Sequence, residues 1–254
     1  DLHSFPTRRS SDLLPAGDMA LNVDFGSEIS EPVNNQVQSL MQALDDACIP
    51  GIIEAVPTFR SVLIHYDPLQ IGYDTLCEKV TALTKGGVRG GASLKRIFEI
   101  PVCYGARFGV DLHDGEKLTG LTADEIIAIH SGQDYRIYML GFLPGFPYLG
   151  GMDPRIAMPR LSNPRTKIPE GSVGIGGSQT GIYPMQSPGG WRLLGATPIK
   201  LYDPDREKPI LYEAGDYIRF VPISLDDYYD IHRMAEDGRY TCRVTLEPVK
   251  GGVH

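Results

Sequence analysis

With 254 residues, 42% hydrophobic and 22% charged, the chain has the composition of an ordinary globular protein, long enough for one large domain or two small ones. Its formal charge of -8 argues against a general nucleic-acid binder, and no apolar run approaches the length of a membrane span. Its cysteines, Cys48, Cys77, Cys103 and Cys242, form no CxxC pair, so no metal site is expected, and isolated thiols without a secretory signal fit a reducing, cytoplasmic setting.

Residues 1–13, DLHSFPTRRSSDL, read as a non-native leader, because FPTRRSSDL matches the translation of a common sequencing-adaptor primer in one frame. Ala20 to Phe25 alternates as a short strand that Gly26 ends. Ser30 suits a helix cap, with Glu31 and Pro32 in the first turn, and Val37, Leu40, Met41 and Leu44 recur at helical spacing. Ile52 to Val56 and Ser61 to Tyr66 read as strands joined by a turn at Pro57-Thr58. Tyr73 to Thr84 is amphipathic through Leu76, Val80 and Leu83, and Arg96 to Cys103 is a further strand. The order β-α-β-β-α-β predicts a ferredoxin-like split unit over 14–95, with its last strand open to assignment on either side of the boundary. Arg60 and His65 fall on or beside the middle hairpin and read as structural or interfacial. The Gly-rich patch Gly86 to Ser93 reads as a flexible connection.

Thr122 with Glu125 three residues on forms a capping box for a helix to Ser131, and the strand Tyr135 to Leu140 follows. His130 at the helix C-terminus has two readings: a residue favoured there by the helix dipole, or a general acid/base or hydrogen-bonding group at a site. From Tyr138 to Trp191 the chain breaks into Gly and Pro at nearly every turn while staying rich in aromatic and aliphatic residues. That predicts short strands joined by rigid, shaped loops, where binding groups are commonly placed. Arg155, Arg160, Arg165 and Lys167 form a local basic cluster in an acidic chain, which suits an anionic ligand or a solvated face. Further strands are expected at Ser172 to Ile175, Gly181 to Tyr183, Trp191 to Leu194, Ile199 to Tyr202, Ile210 to Tyr212 and Tyr217 to Val221. A helix capped by Ser224 then spans Leu225 to Glu236, and a last strand spans Tyr240 to Leu246. Many short strands with regular turns argue for a barrel or sandwich over 96–247, with a tail at 248–254.

The motifs GFLPGFPYLGG and GSVGIGGSQTGIYPMQSPGGW, with LPAGDMALNVDFG, VPTFRSVLIHYDP, EIPVCYG and IHSGQDYRIYMLGF upstream, resemble the allophanate hydrolase subunit 1, or KipI, family. The likeness runs from about Leu14 to about Pro222. It implies an α+β protein in which the ferredoxin-like domain is followed by a cyclophilin-like β-barrel. The family's bacterial members include the B component of an ATP-dependent 5-oxoprolinase, which implies a non-autonomous hydrolase subunit. Its partners would be a KipA-like and a LamB/YcsF-like subunit, with ATP used by the complex to convert 5-oxoproline to glutamate. Two other readings accompany the resemblance: an inhibitor that binds a sensor histidine kinase, and a component of a urea- or allophanate-processing amidohydrolase.

GIGGSQTG does not make a nucleotide loop: no Lys follows its glycines, and Gln179 stands where a dinucleotide motif needs its third Gly. No GxSxG elbow is present. On the enzyme reading, His130, Arg165 and Gln179 are the expected catalytic residues. Phe146, Arg160, Lys167, Thr180, Tyr183, Ser187 and Trp191 are the expected substrate-binding ones. Ser187 also reads as a polar turn residue, and Trp191 as core. Phe146 reads as core or as pocket wall, the latter favoured because GFPYL between glycines would expose it.

Overall fold

The computed structural model describes residues 11–85 and 94–248, which fall into two compact units. The sequence expectations for the Gly86 to Ser93 patch and for the tail beyond 248 lie outside the described residues.

The first unit is a four-stranded antiparallel sheet with two helices. Its strands are β1 (Asp12–Pro15), β2 (Ala20–Asp24), β3 (Ile52–Pro57) and β4 (Ser61–Tyr66), in the order β1-β2-β4-β3. Helices α1 (Glu31–Ala47) and α2 (Tyr73–Lys85) supply Val37, Leu40, Leu44, Leu76 and Val80 to a core shared with Leu21, Val23, Val62, Ile64 and Tyr66. The strict alternation of buried Val62, Ile64 and Tyr66 fixes which face of β4 turns inward. The α+β class expected from the sequence is what forms. The sheet edge beside β2 is filled by β1, which begins within the expected leader, and not by the Arg96–Cys103 strand. Ser30 is the N-cap of α1 by backbone geometry, without a side-chain cap bond. Pro32 leaves one fewer N–H in that turn to be capped. Arg60 is tied to Asp24 and to the Gly26 carbonyl, a structural use of its charge.

The second unit is organised on β5 (Leu94–Tyr104), an eleven-residue strand. One of its edges pairs in parallel with β13 (Tyr217–Pro222); the other pairs antiparallel with β14 (Arg243–Pro248) and then β12 (Arg192–Ala196). The remaining strands are β6 (Asp134–Leu140), β7 (Pro147–Gly150), β9 (Ser172–Gly176) and β10 (Gln179–Ile182). They give an eight-stranded sheet running β10-β9-β12-β5-β13-β6-β7, with β14 attached to β5. Its ends nearly meet: the Pro147 carbonyl oxygen of β7 lies 3.1 Å from where a Gly181 Cβ would stand on β10. The interior of this barrel-like sheet is filled by Phe98, Ile100, Tyr135, Ile137, Tyr212 and Phe220 with their aliphatic neighbours.

Two helices, α3 (Leu112–Thr119) and α4 (Ala123–Ser131), form a second apolar layer with Ile156, Met158, Ile175 and Leu194. The capping box of Thr122 and Glu125 is present as expected, and α5 (Leu225–Glu236) carries one from Ser224 and Asp227. A two-stranded ribbon pairs β8 (Arg165–Ile168) with β11 (Ser187–Gly189). The strands expected at Ile199–Tyr202 and Ile210–Tyr212 reduce to a single bridge between Tyr202 and Ile210.

Candidate functional site

The hairpin β9–β10 has two chemically different faces. Directly opposed residues share a face, and Gly176 opposes Gln179 while Gly174 opposes Gly181. One face is therefore nearly bare of side chains. A Cβ on Gly176 would stand 2.3 Å from the Trp191 indole, and one on Gly181 would stand 3.1 Å from Trp191 and 3.4 Å from Phe146. Gly176 and Gly181 are thus a floor for aromatic rings, and the packed rings leave those two positions no room to cradle a phosphate.

On that floor stand three aromatic residues in edge-to-face geometry. Phe146 is centred 5.5 Å from both Tyr183 and Trp191, which are 6.1 Å from each other. Ile168 and Leu193 complete the cluster. Phe146 is only 2% exposed, against the sequence expectation of an open ring; the exposed ring is Phe142, at 63%. Phe142 holds φ +66°, a left-handed conformation that costs a bulky residue energy. It lines a shallow depression of about 350 Å³ with Leu140, Leu143, Pro144 and Ile210.

Cations border the cluster. The Arg160 guanidinium lies over the Trp191 ring, 6.0 Å from its centre. Its backbone is held on both sides: Arg192 Nε donates to the Pro159 carbonyl (3.0 Å) and Leu161 N donates to the Gly190 carbonyl (2.7 Å). Arg165, the first residue of β8, donates through Nη2 to Asp111 Oδ1 at 2.7 Å and through Nη1 to the Trp191 carbonyl at 3.4 Å. Lys167 is exposed on the same strand. Among the described residues neither Arg160 nor Lys167 has a carboxylate partner, whereas Arg155 is spent on Asp153 at 2.6 Å. Burial raises the Tyr183 phenol above its ordinary value; a Trp191 backbone hydrogen bond and the Arg160 and Arg165 charges pull the other way. Ser187 is buried, and its Oγ has no hydrogen-bond partner among the described residues. Gln179 is half-buried at the open end of the glycine face.

The other face of β10 carries Thr180, and with it His130. Thr180 Oγ1 donates to the Gly174 carbonyl at 3.0 Å, which uses its one proton. It therefore accepts from His130 Nε2 at 2.7 Å, and His130 Nδ1 accepts from the Tyr104 hydroxyl at 2.7 Å. The imidazole stacks on Phe220 at 4.5 Å, and Tyr135 donates to its backbone carbonyl. Burial lowers its pKa from 6.5 to about 3, so it is neutral. The fold brings Phe146, Arg160, Arg165, Tyr183 and Trp191 together and puts His130 and Thr180 on the opposite face, in the core. The expectation of a general acid/base at His130 meets a physical obstacle: both ring nitrogens are engaged, and the residue is fully buried.

One residue of the site was not anticipated. Asp111 precedes α3 and is 4% exposed; besides Arg165 it accepts from Leu193 N through Oδ2 at 2.7 Å. Nothing in the sequence singles it out: it stands before the polar LHDGEKLT, and its carboxylate makes no cap bond to that helix.

Fold and site define a two-unit α+β protein whose second unit is a barrel-like sheet with a buried aromatic cluster and Arg160 over its Trp191 ring. Residues 11–212 match the family described as carboxyltransferase domain, subdomain C and D, and the chain belongs to that family. It is 44% identical over 224 residues to the 5-oxoprolinase B subunit of Bacillus subtilis, covering 84% of this chain and 93% of that protein. It is 37% identical to the Escherichia coli O157:H7 protein of the same name, over 81% of this chain and 93% of that one. The crystal structure of TTHA0988 superposes with a TM-score of 0.72 at 38% identity, over 81% of this chain; the chain spans only 40% of the TTHA0988 chain.

Proposed function

We propose that this chain is the B subunit of an ATP-dependent 5-oxoprolinase, acting with partner subunits to open 5-oxoproline to glutamate. The observation that carries this reading is the Arg160 guanidinium over Trp191, at the rim of the buried Phe146–Tyr183–Trp191 cluster, a cation without a carboxylate partner among the described residues. A five-membered lactam with a carboxylate offers complementary chemistry: an anion for the cation at the rim of the cluster. The 44% identity to a 5-oxoprolinase B subunit supports the same substrate class.

Within this proposal Arg160 and Lys167 bind the substrate carboxylate, and Gln179 and Ser187 meet the lactam amide as neutral hydrogen-bonding groups. Arg165, already held by Asp111, contributes positive potential where negative charge develops on the carbonyl oxygen. Opening an unstrained lactam is uphill, so ATP supplies the driving force before water completes cleavage of the C–N bond. Gly176 and Gly181 of the hairpin lie against the Trp191 and Phe146 rings, and no Lys follows its glycines, so ATP is assigned to the complex. A KipA-like and a LamB/YcsF-like subunit are the proposed partners, and the cytoplasm the proposed compartment.

The test is glutamate release from 5-oxoproline plus ATP with all three subunits, each omitted in turn. Glutamate formed only with all three present supports an obligate subunit. No glutamate under any combination, with the subunits verified as folded, would sink the reading. The kinase-inhibitor reading has one observation in its favour, the exposed and strained Phe142 beside its apolar depression. Binding of this chain to an isolated histidine-kinase dimerisation domain, lost in Phe142→Gly, would favour it.

A further inference from the structure

Among the described residues, Asp111 is the buried carboxylate in contact with this site, and it bridges three elements. Its Oδ1 accepts from Arg165 on β8, its Oδ2 accepts from the Leu193 amide on β12, and its own N–H donates to the Leu193 carbonyl at 3.1 Å. The residue is delivered there by a tight turn. A Cβ on Gly109 would stand 2.2 Å from the Leu194 carbonyl oxygen, so the turn can lie directly against β12. Arg165 in turn reaches the Trp191 carbonyl. Asp111 and Arg165 therefore clamp both ends of the Trp191–Leu193 segment.

That segment is what places the indole. Trp191 lies on the bare floor of Gly176 and Gly181 and beneath Arg160, with no hydrogen bond of its own ring to fix it among the described residues. The residues on either side of Arg160 are bonded in or next to that segment, Pro159 O accepting from Arg192 Nε and Leu161 N donating to Gly190 O. One carboxylate thus governs the spacing between the aromatic face and the cation above it.

We propose that Asp111 is a positioning residue of this site: its carboxylate, through Arg165 and the Leu193 amide, sets where Trp191 and Arg160 stand for an anionic substrate. Its substrate-level consequence rests on the 5-oxoprolinase reading, whereas its conformational consequence does not. A charge this deeply buried is also structural, so the test must move a quantity that stability alone does not.

Trp191 is the single tryptophan of the chain and supplies that quantity. The full chain and its Asp111→Asn variant are compared by acrylamide quenching of Trp191 emission, well below the melting temperature of each and at matched far-UV circular dichroism. Asn keeps an acceptor for the Leu193 amide and loses the charge on Arg165. Arg165→Lys is run in parallel, because it retains the charge while losing the fork that spans Asp111 and the Trp191 carbonyl. The expected result is a quenching constant raised about twofold or more in a folded variant. In the reconstituted complex the expected result is a KM for 5-oxoproline raised about tenfold, the scale of one lost charge-assisted hydrogen bond, with kcat changed less than KM.

Unchanged quenching in both folded variants would overturn the proposal. So would changed quenching with an unchanged KM. If the wild-type complex releases no glutamate, the 5-oxoprolinase reading fails, while the quenching result still decides whether Asp111 positions Trp191.

Discussion

His130 Nε2 stands 2.7 Å from Thr180 Oγ1, and that hydroxyl donates a hydrogen bond to the Gly174 carbonyl 3.0 Å away. The relay Tyr104–His130–Thr180–Gly174 joins α4 to the wall of the barrel without a charge. Its pH behaviour follows from burial. In the unfolded chain the imidazole takes a proton near pH 6.5; in the folded protein it stays neutral down to about 3. Within that window the unfolded state binds one proton more, so the stability His130 contributes is complete above about pH 6.5 and is lost as pH falls towards 3. The slope from this one residue approaches about 1.4 kcal/mol per pH unit. Urea denaturation across pH 4 to 7 should show this decline in the wild type and a shallower one in His130→Gln. Equal slopes would refute the account.

Gly176→Ala tests the floor of the site. Its Cβ would stand 2.3 Å from the rigid Trp191 ring, so the indole must move. Overpacking of this kind costs about 1–3 kcal/mol. The variant should melt at lower temperature and shift the emission of its single tryptophan. Ser178→Ala, on the exposed turn of the same hairpin, should do neither. A Gly176→Ala protein with wild-type emission would show that the glycine is not there for Trp191.

The two predictions mark the boundary of what the sequence carries. The strand Ser61–Tyr66 and the helix Leu225–Glu236 form over the ranges expected, because each is specified by its own periodicity and caps. Helix α3 was not legible. Its LHDGEKLT is polar, with a glycine at its centre, and that glycine is explained only by Met158, whose Cε would lie 2.9 Å from a Cβ there. The ribbon β8–β11 was not legible either, since three-residue SPG becomes a strand only by pairing with Arg165–Ile168. The site was half visible. Its aromatic and basic residues are clustered in sequence, but Asp111 lies 54 residues before Arg165, and the sorting of His130 and Gln179 to opposite faces depends on the register of β10.

Arg160 and Arg155 separate the site from the rest of the basic cluster. Arg160 lies over Trp191 with no carboxylate partner among the described residues, while Arg155 is paired with Asp153. Arg160→Gln should raise the KM for 5-oxoproline about tenfold in the reconstituted complex, the scale of losing one charge-assisted contact. Arg155→Gln should leave both it and the melting temperature essentially unchanged, as expected for an exposed pair screened by solvent. Equal effects of the two substitutions would mean that the cluster acts only by net charge.

Phe142 is the residue whose conformation and exposure agree least with a purely structural role. Its φ of +66° suits glycine, and its ring is 63% exposed, touching Phe146 edge-on at 5.5 Å. Phe142→Gly removes a left-handed strain of about 1–2 kcal/mol and an aromatic contact of about 0.5–1.5 kcal/mol, so stability should stay within about 1 kcal/mol of wild type. Phe142→Val keeps the strain, adds a β-branch and loses the ring, so it should be clearly less stable. The exposed ring is open to a contact with another chain, and the partner subunits and a histidine kinase are the two candidates. Titration calorimetry of Phe142→Gly against the partner subunits should therefore show weakened binding with an unchanged melting temperature. Full affinity together with a stability loss well above about 2 kcal/mol would show instead that the ring serves the fold.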